Sequence, residues 1–294
     1  MNASAPSSGP HPLREARTEA IAALAAAGVP DPEVDADLLI GHVLGLSRGG
    51  VHAKLVVGHE ITATDAAALA SLVERRARRE PLQHLTGRAP FRSFELAVGP
   101  GVFVPRPETE LLAQLAIDAL RAAAEPEPVA LDLGAGSGAI ALAMATEVPH
   151  ARVFAVENSP EAFPWTQRNV DEAGAPNLSL VFGDLADALA ELDGTAAVVA
   201  SNPPYIPQDA IPRDPEVRLH DPARALYGGP DGLDVVRVLS RRALALLHPG
   251  GALLIEHGET QSAEIAAILS ADGWHAIAHH RDLTGRDRVT TARR

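Results

Sequence analysis

Between Leu13 and Pro81 the apolar positions recur at helical spacing, and glycines and prolines mark where each helix stops. A first helix over 13–27 ends at Gly28 with Pro30 beyond. A second opens at Asp31 with Pro32 in its first turn, shows Val34, Leu38, Leu39 and Val43, and closes at Gly45. A third starts near Thr64, carries Leu69, Leu72 and Val73, and runs into Arg75, Arg76, Arg78, Arg79 and Pro81. No strand pattern interrupts the stretch, so 13–88 reads as a small helical domain behind a frayed tail at 1–12. The four arginines fall in a last turn, where cations meet the helix dipole favourably, and a solvated helix end is expected for them.

The pattern changes at 89–106. Phe94, Leu96 and Val98 alternate, Gly99-Pro100-Gly101 offers a turn and 102–104 is extended, which predicts a β-hairpin linking two domains. From 107 to 294 helices and strands alternate. Helices are expected at 107–124, 138–147, 160–173, 232–247 and 260–271, and strands at 129–133, 151–156, 178–182, 196–200, 251–255, 274–279 and 288–292. That alternation predicts an α/β fold with a mostly parallel seven-stranded sheet covered by helices on both faces. Ligands of such sheets bind beyond the carboxyl ends of the strands, where strand order reverses.

The 294 residues are 46% hydrophobic and 21% charged, enough for a real core. With no cysteine, disulfides, thiolate metal sites and a cysteine nucleophile are excluded. No apolar run reaches the ~18 residues of a membrane span, and the opening MNASAPSSGPHP lacks a signal-peptide pattern, so a soluble cytoplasmic protein is expected. The balance of 25 basic and 38 acidic residues, 25 − 38 = −13, argues against a surface that tracks nucleic-acid phosphates.

Leu131-Asp132-Leu133-Gly134-Ala135-Gly136-Ser137-Gly138-Ala139 is a strand running into a glycine turn and then a helix. Glycines there admit unusual dihedrals and the close approach of a ligand. The next strand ends in Glu157, 157 − 134 = 23 residues past the first glycine, where a carboxylate can accept bonds from ribose hydroxyls. Together these suggest a nucleoside-cofactor site; the alternative is a tight turn without ligand. Gly134, Gly136 and Ala139 also satisfy G-x-G-x-x-A, so a nicotinamide cofactor stays open at this point.

The apolar stretch 195–200 ends directly in Ser201-Asn202-Pro203-Pro204-Tyr205. Two prolines stiffen the loop and remove two amide donors, so it presents carbonyl acceptors, to which the Asn202 side chain adds one. An acceptor pair beside an aromatic face suits a planar NH₂ group. The plainer alternative is an Asn-Pro turn leaving a strand. The nicotinamide reading offers no account of this loop.

The GAGSG turn, the acid closing the second strand, Asp184 after the third and NPPY after the fourth resemble class I S-adenosylmethionine-dependent methyltransferases that act on amide or exocyclic amino nitrogens. The chain is similar above all to the HemK/PrmC family of release factor glutamine N5-methyltransferases. That resemblance runs through PLQHLTG at 81–87, FVPRPETE at 103–110, NPPYIP at 202–207, ALYGGPDGLD at 225–234, LLIEHG at 253–258 and RDLTGRDRV at 281–289. It implies a Rossmann-like methyltransferase domain using S-adenosylmethionine and releasing S-adenosylhomocysteine. Gly134, Ala135, Gly136, Ser137 and Gly138 would pass beside the methionine part of the cofactor, Glu157 would hold the ribose, and Asp184 and Leu185 would border the adenine. Phe103, Arg106 and Thr109 would lie near the cofactor. Asn202, which would also border the cofactor, would bind the target glutamine with Pro203, Pro204 and Tyr205, and Asn202, Pro203 and Tyr205 would carry the catalysis. The partners implied are class I peptide-chain release factors, engaged at their Gly-Gly-Gln loop with help from the helical domain. Two departures from the family pattern are Glu157, where Asp is also frequent, and Asp221, where many members carry Glu.

The closest rival is an adenine-N6 DNA or RNA methyltransferase, whose exocyclic NH₂ would satisfy the same acceptors; the charge and the 3% aromatic content speak against it. A noncatalytic nucleoside-binding protein is a third reading. No metal site is expected: His279 and His280 are adjacent and point to opposite sides of a strand. His84 and His257 read as structural, Trp165 as packing on a helix with Pro164 in its first turn. Asp214 and Glu216, in a proline-rich loop, read as solvated charge.

Overall fold

The structure, a computed structural model, describes residues 11–294. The expected frayed tail at 1–12 thus falls largely outside the described residues, but His11 and Pro12 are ordered. The chain divides into two compact units, one of 1–87 plus 212–220 and one of 88–211 plus 221–294, with 1–10 not described.

In the first unit β1 (His11–Pro12) pairs antiparallel with β2 (Glu60–Ile61), a short strand pair that the helical pattern did not announce. Around it stand α1 (Leu13–Ala26), α2 (Pro32–Leu44), α3 (Arg48–Val56), α4 (Ala63–Ala77) and α5 (Leu82–Thr86). Gly45 closes α2 in the left-handed region as expected, Ser47 caps α3 through the Gly50 N–H, and Thr62 caps α4 through the Asp65 N–H. Leu13, Leu24, Leu39, Ile40 and Val51 form the centre of its core.

The second unit begins with a hairpin of β3 (Arg88–Phe91) and β4 (Phe94–Ala97). Its turn is at Arg92-Ser93, not at Gly99-Pro100-Gly101, and 102–104 is no strand. Gly99 serves packing instead: a Cβ there would stand 2.4 Å from the Trp165 ring, whose indole N–H donates to the Pro100 carbonyl. There follow α6 (Thr109–Arg121), β5 (Val129–Leu133), α7 (Ala139–Glu147), β6 (Arg152–Glu157), α8 (Phe163–Ala173), β7 (Leu178–Phe182) and β8 (Ala196–Ser201). The chain then visits the first unit, where it forms α9 (Pro215–His220). It returns as α10 (Ala223–Leu226), α11 (Asp234–Leu246), β9 (Leu247–Glu256), α12 (Ser262–Asp272), β10 (His275–Arg281) and β11 (Asp287–Arg293).

The seven-stranded sheet runs β10-β11-β9-β8-β5-β6-β7, parallel except for β11, which lies antiparallel to both neighbours. Alternate residues feed two cores. Ala130 faces the side covered by Leu112, Ile117 and Leu142, whereas Leu131 and Leu133 face Val236, Leu239 and Ile265. Strand order reverses between β5 and β8, which pair directly with Asp132 opposite Ala200. The loops leaving these two strands therefore start side by side, at the place where parallel sheets open a crevice.

The visit of 212–220 to the first unit overturns two expectations. Glu216 is buried, not solvated: it accepts from Arg76 Nη1 and from Arg79 Nε and Nη2, each at 2.7 Å. Arg76, buried as well, also donates to Asp35 at 2.7 Å. At the end of α4 Arg76 and Arg79 thus belong to a buried ion-pair cluster, while Arg75 and Arg78, 45% and 70% exposed, are solvated as expected. Arg79 takes a φ of +68°, a conformation costing a side chain about 1 kcal/mol, and its two bonds to Glu216 offset that cost.

Candidate active site

The glycine turn after β5 is bound to the end of β6. The N–H groups of Gly134 and Ala135 both donate to the Val156 carbonyl at 2.9 Å, and the Gly136 N–H donates to Glu157 Oε2 at 2.7 Å. Gly134, Gly136 and Gly138 have φ of +83°, +57° and +84°, where any side chain would be strained. A Cβ on Gly134 or Gly136 would meet nothing within 4 Å, so the turn borders open space. From behind, Thr166 donates to the Gly136 carbonyl at 2.6 Å and Asn169 to the Ser137 carbonyl at 2.9 Å. Ala135 and Ser137 are buried in this layer.

The second Glu157 oxygen accepts the Ser159 N–H at 2.7 Å. Each carboxylate oxygen keeps a further lone pair for a hydroxyl donor. Asp184 stands just past β7, where it accepts from Asn158 at 3.1 Å and from the Ala186 N–H at 2.9 Å, with half-buried Leu185 beside it. The carboxyl ends of β5, β6 and β7 thus bring the expected cofactor residues into one row. An open glycine turn, a carboxylate with free lone pairs and a third-strand acid fit a nucleoside with a small charged tail. Beneath the turn Asp132 accepts the Ala141 N–H at 3.0 Å; burial, aided by the charge of Glu157, pushes its carboxyl up to about 7.

The second loop begins at Ser201, whose hydroxyl donates to the Leu133 carbonyl at 2.5 Å and so ties β8 to β5. Pro203 is buried. Beyond Tyr205 the backbone is held by a parallel partner: the Ile206 N–H donates to the Leu226 carbonyl at 2.8 Å, and the Gly228 N–H to the Ile206 carbonyl at 2.9 Å. Gln261 donates to the Tyr205 carbonyl at 2.9 Å. The YGGPDG stretch can lie this close only as glycine, because a Cβ on Gly228 would stand 2.4 Å from the Pro204 oxygen and one on Gly232 2.2 Å from the Tyr205 oxygen. Burial, then the charge of Glu256, pushes the Tyr205 hydroxyl above its ordinary value, so it stays neutral.

Asn202 is half-buried, and its Nδ2 donates to Thr109 Oγ1 at 3.3 Å. Arg106 donates to the buried Asp221 at 2.6 Å and stands over the Phe103 ring at 5.0 Å. Two of the three FVPRPETE residues expected near the cofactor therefore have partners on the NPPY loop or the segment that follows it. Sequence reasoning missed Glu256, a buried carboxylate at the end of β9 that burial pushes up to about 7 against side-chain hydrogen bonds from Thr109 and Asn202. Its one signal was an acid closing the apolar run of LLIEHG. His257 is buried and bonded to Thr290 at 2.8 Å, a structural role; His279 and His280 each bond a threonine of β11.

Residues 15–87 match the profile of the PrmC N-terminal domain and 94–224 that of the methyltransferase small domain. Among solved structures, a methyltransferase from Pyrococcus furiosus shares 21% identity with a TM-score of 0.51, covering 75% of this chain and 97% of that one. A T. thermophilus 16S rRNA N2 G1207 methyltransferase in complex with AdoMet and guanosine reaches 0.50 at 22% identity, over 70% of this chain and 49% of that one. These likenesses establish the class I methyltransferase fold. The release factor glutamine methyltransferase of Streptomyces coelicolor is 48% identical over 92% of this chain and 94% of its own length. That of Deinococcus radiodurans is 47% identical over 96% and 98%. With such identity across both units, the chain belongs to the release factor glutamine methyltransferase family.

Proposed function

We propose that this protein transfers a methyl group from S-adenosylmethionine to the side-chain amide nitrogen (N5) of the glutamine in the Gly-Gly-Gln motif of class I peptide-chain release factors. The observation that carries the reading is the departure of the glycine turn and the NPPY loop from the paired strands β5 and β8, at the same end of the sheet. Gly134, Ala135, Gly136, Ser137 and Gly138 line the methionine part of the cofactor, Glu157 binds the ribose, and Asp184 and Leu185 border the adenine. When bound, the cofactor supplies a methyl group already activated on positive sulfur.

An amide nitrogen is a weak nucleophile because its lone pair is delocalised into the carbonyl. Asn202 Oδ1 and the Pro203 carbonyl accept the two N–H bonds of the target amide, aim its nitrogen and stabilise the positive charge that grows there during transfer. Pro204 keeps the loop stiff and free of a competing donor, and neutral Tyr205 stacks on the amide plane and excludes water. Orientation of this kind removes roughly 7 to 11 kcal/mol of barrier when the geometry is right. The helical unit engages the release factor. No helix of the described residues is long and apolar enough to cross a membrane. A cytoplasmic location is proposed because the release factor substrate acts there in translation termination.

Incubation with radiolabelled cofactor and a purified release factor, beside a DNA control, followed by mass mapping, tests the reading. Label at the motif glutamine is the expected outcome; label in DNA alone would assign the acceptors to adenine instead.

A further inference from the structure

Asn202 and Glu256 occupy equivalent positions on neighbouring parallel strands. Ser201 of β8 is in register with Ile255 of β9, and each of the two residues follows directly. Both lie toward the side of the sheet that Leu254 and Ala200 share with Leu112 and Ala113 of α6. The first residue of α6, Thr109, is 3% exposed, and Glu256 is 1% exposed. A carboxylate has little reason to be buried so completely at a strand end unless it serves a donor there. Arg288, whose charge acts on it, is paired with Asp282 at 3.1 Å, and Glu256 Oε2 has no close hydrogen-bond partner among the described residues.

The donor level with this group on the neighbouring strand is the Asn202 amide nitrogen, which gives one bond to Thr109 Oγ1 at 3.3 Å. An ionised carboxylate accepts only, and the Thr109 oxygen already accepts from the Asn202 nitrogen. Turning the Asn202 amide over would set its oxygen against these acceptors, so that orientation is disfavoured whenever Glu256 is ionised. On the reading that Asn202 binds the target amide, we infer that Thr109 and Glu256 are positioning residues for methyl transfer: they hold the Asn202 nitrogen inward and thereby commit its Oδ1 to the substrate. Without them the amide rotates freely, and half of its orientations present a donor to the substrate NH₂, a repulsive contact.

The test compares Thr109→Val, Thr109→Ser, Glu256→Leu and Glu256→Gln in the full chain. Thr109→Val and Glu256→Leu are expected to lower kcat at least tenfold with cofactor affinity within twofold of the unaltered protein by calorimetry. Thr109→Ser, which keeps the oxygen, and Glu256→Gln, which keeps one acceptor, should recover most of the loss. A second readout needs neither cofactor nor turnover. Protein labelled with ¹⁵N at its five asparagines shows few side-chain NH₂ pairs, and the Asn202 pair is identified by its disappearance in Asn202→Ala. That pair should be shifted and slowed in exchange with water in the unaltered protein, and solvent-like in Thr109→Val. Equal losses in Thr109→Ser and Thr109→Val, unaltered kcat in Thr109→Val and Glu256→Leu, or an Asn202 signal indifferent to both would overturn the inference. If the unaltered protein methylates glutamine while these variants match it, only the positioning role fails. Absence of glutamine methylation by the unaltered protein would sink the function itself.

Discussion

Replacing Glu216 by glutamine removes the charge at the centre of the cluster while keeping the shape. Three N–H···O contacts at 2.7 Å converge on this carboxylate, and the side chains of Arg76, Arg79 and Glu216 are 7%, 19% and 11% exposed. Breaking a buried ion pair from one side costs about 3 to 5 kcal/mol, because the remaining cation is left unpaired away from water. Asp35 still answers Arg76, and the glutamine oxygen keeps one acceptor, so the expected loss lies at the low end, about 3 kcal/mol. The control is Glu74→Gln. Its partner Arg78, four residues on at the cap of α4, is also paired, but the two side chains are 67% and 70% exposed, where such contacts contribute about 0.5 kcal/mol or less. Urea unfolding at pH 7, followed by circular dichroism, reads both variants as midpoint shifts. Burial alone would raise the Glu216 carboxyl, but hydrogen bonds led by that of Arg79 outweigh it and hold the group well below the usual carboxylate range. Its stabilisation is therefore fully present above the unfolded value of ~4.5 and is lost as pH falls toward the depressed folded value, so the gap between Glu216→Gln and the unaltered protein should narrow on acidification. A midpoint shift for Glu216→Gln no larger than that for Glu74→Gln would refute the reasoning.

Asn202→Ala should lower kcat about 10² to 10³-fold while cofactor affinity by calorimetry stays within about twofold; parallel loss of both would contradict its role as substrate acceptor. Glu157→Ala should weaken cofactor binding about 10- to 100-fold, the scale of charge-assisted hydrogen bonds, and an unchanged titration would remove it from the ribose site. Gly232→Ala meets both a φ of +77° and a 2.2 Å approach to the Tyr205 oxygen, so kcat/KM should fall and Tm should drop; a variant with unaltered kinetics would show that the NPPY backbone tolerates displacement. Asp132 has its folded value raised to about 7 from 3.8, so the native state favours the protonated form and stability declines as pH rises through that interval. Asp132→Asn should therefore gain stability over the unaltered cofactor-free protein at pH 8, by about 4 kcal/mol at most, and little at pH 4, as read from urea midpoints.

The sheet was readable because its central strands are apolar runs separated by helical periodicity, and 129–133 and 178–182 were placed to the residue. The glycine turn and NPPY were readable because each puts its chemistry into consecutive residues. What escaped lacked a local signal. Helix α3, RGGVHAKLV, carries two glycines and buries only Val51, so no periodic face announced it. The hairpin turn was misplaced because Gly99-Pro100-Gly101 looks like a turn for its own sake, whereas Gly99 makes room for Trp165, 66 residues away. Glu216 looked solvated because its partners lie 140 and 137 residues back in the chain. Glu256 escaped for the same reason: an acid closing a strand is ordinary until the register of β8 and β9 sets it level with Asn202. Thr109 was expected near the cofactor, but its bond to Asn202 joins residues 93 apart and left no local trace.

The ion pairs of Glu216 also bear on how the front unit can be exchanged between relatives. A graft ending at residue 87 would transplant two arginines and leave behind the nine-residue stretch 212–220 that neutralises them. The recipient would then hold stranded cations on one side and a misfitted peptide on the other. Recombination between homologues should succeed only when both stretches travel together, as a split cassette.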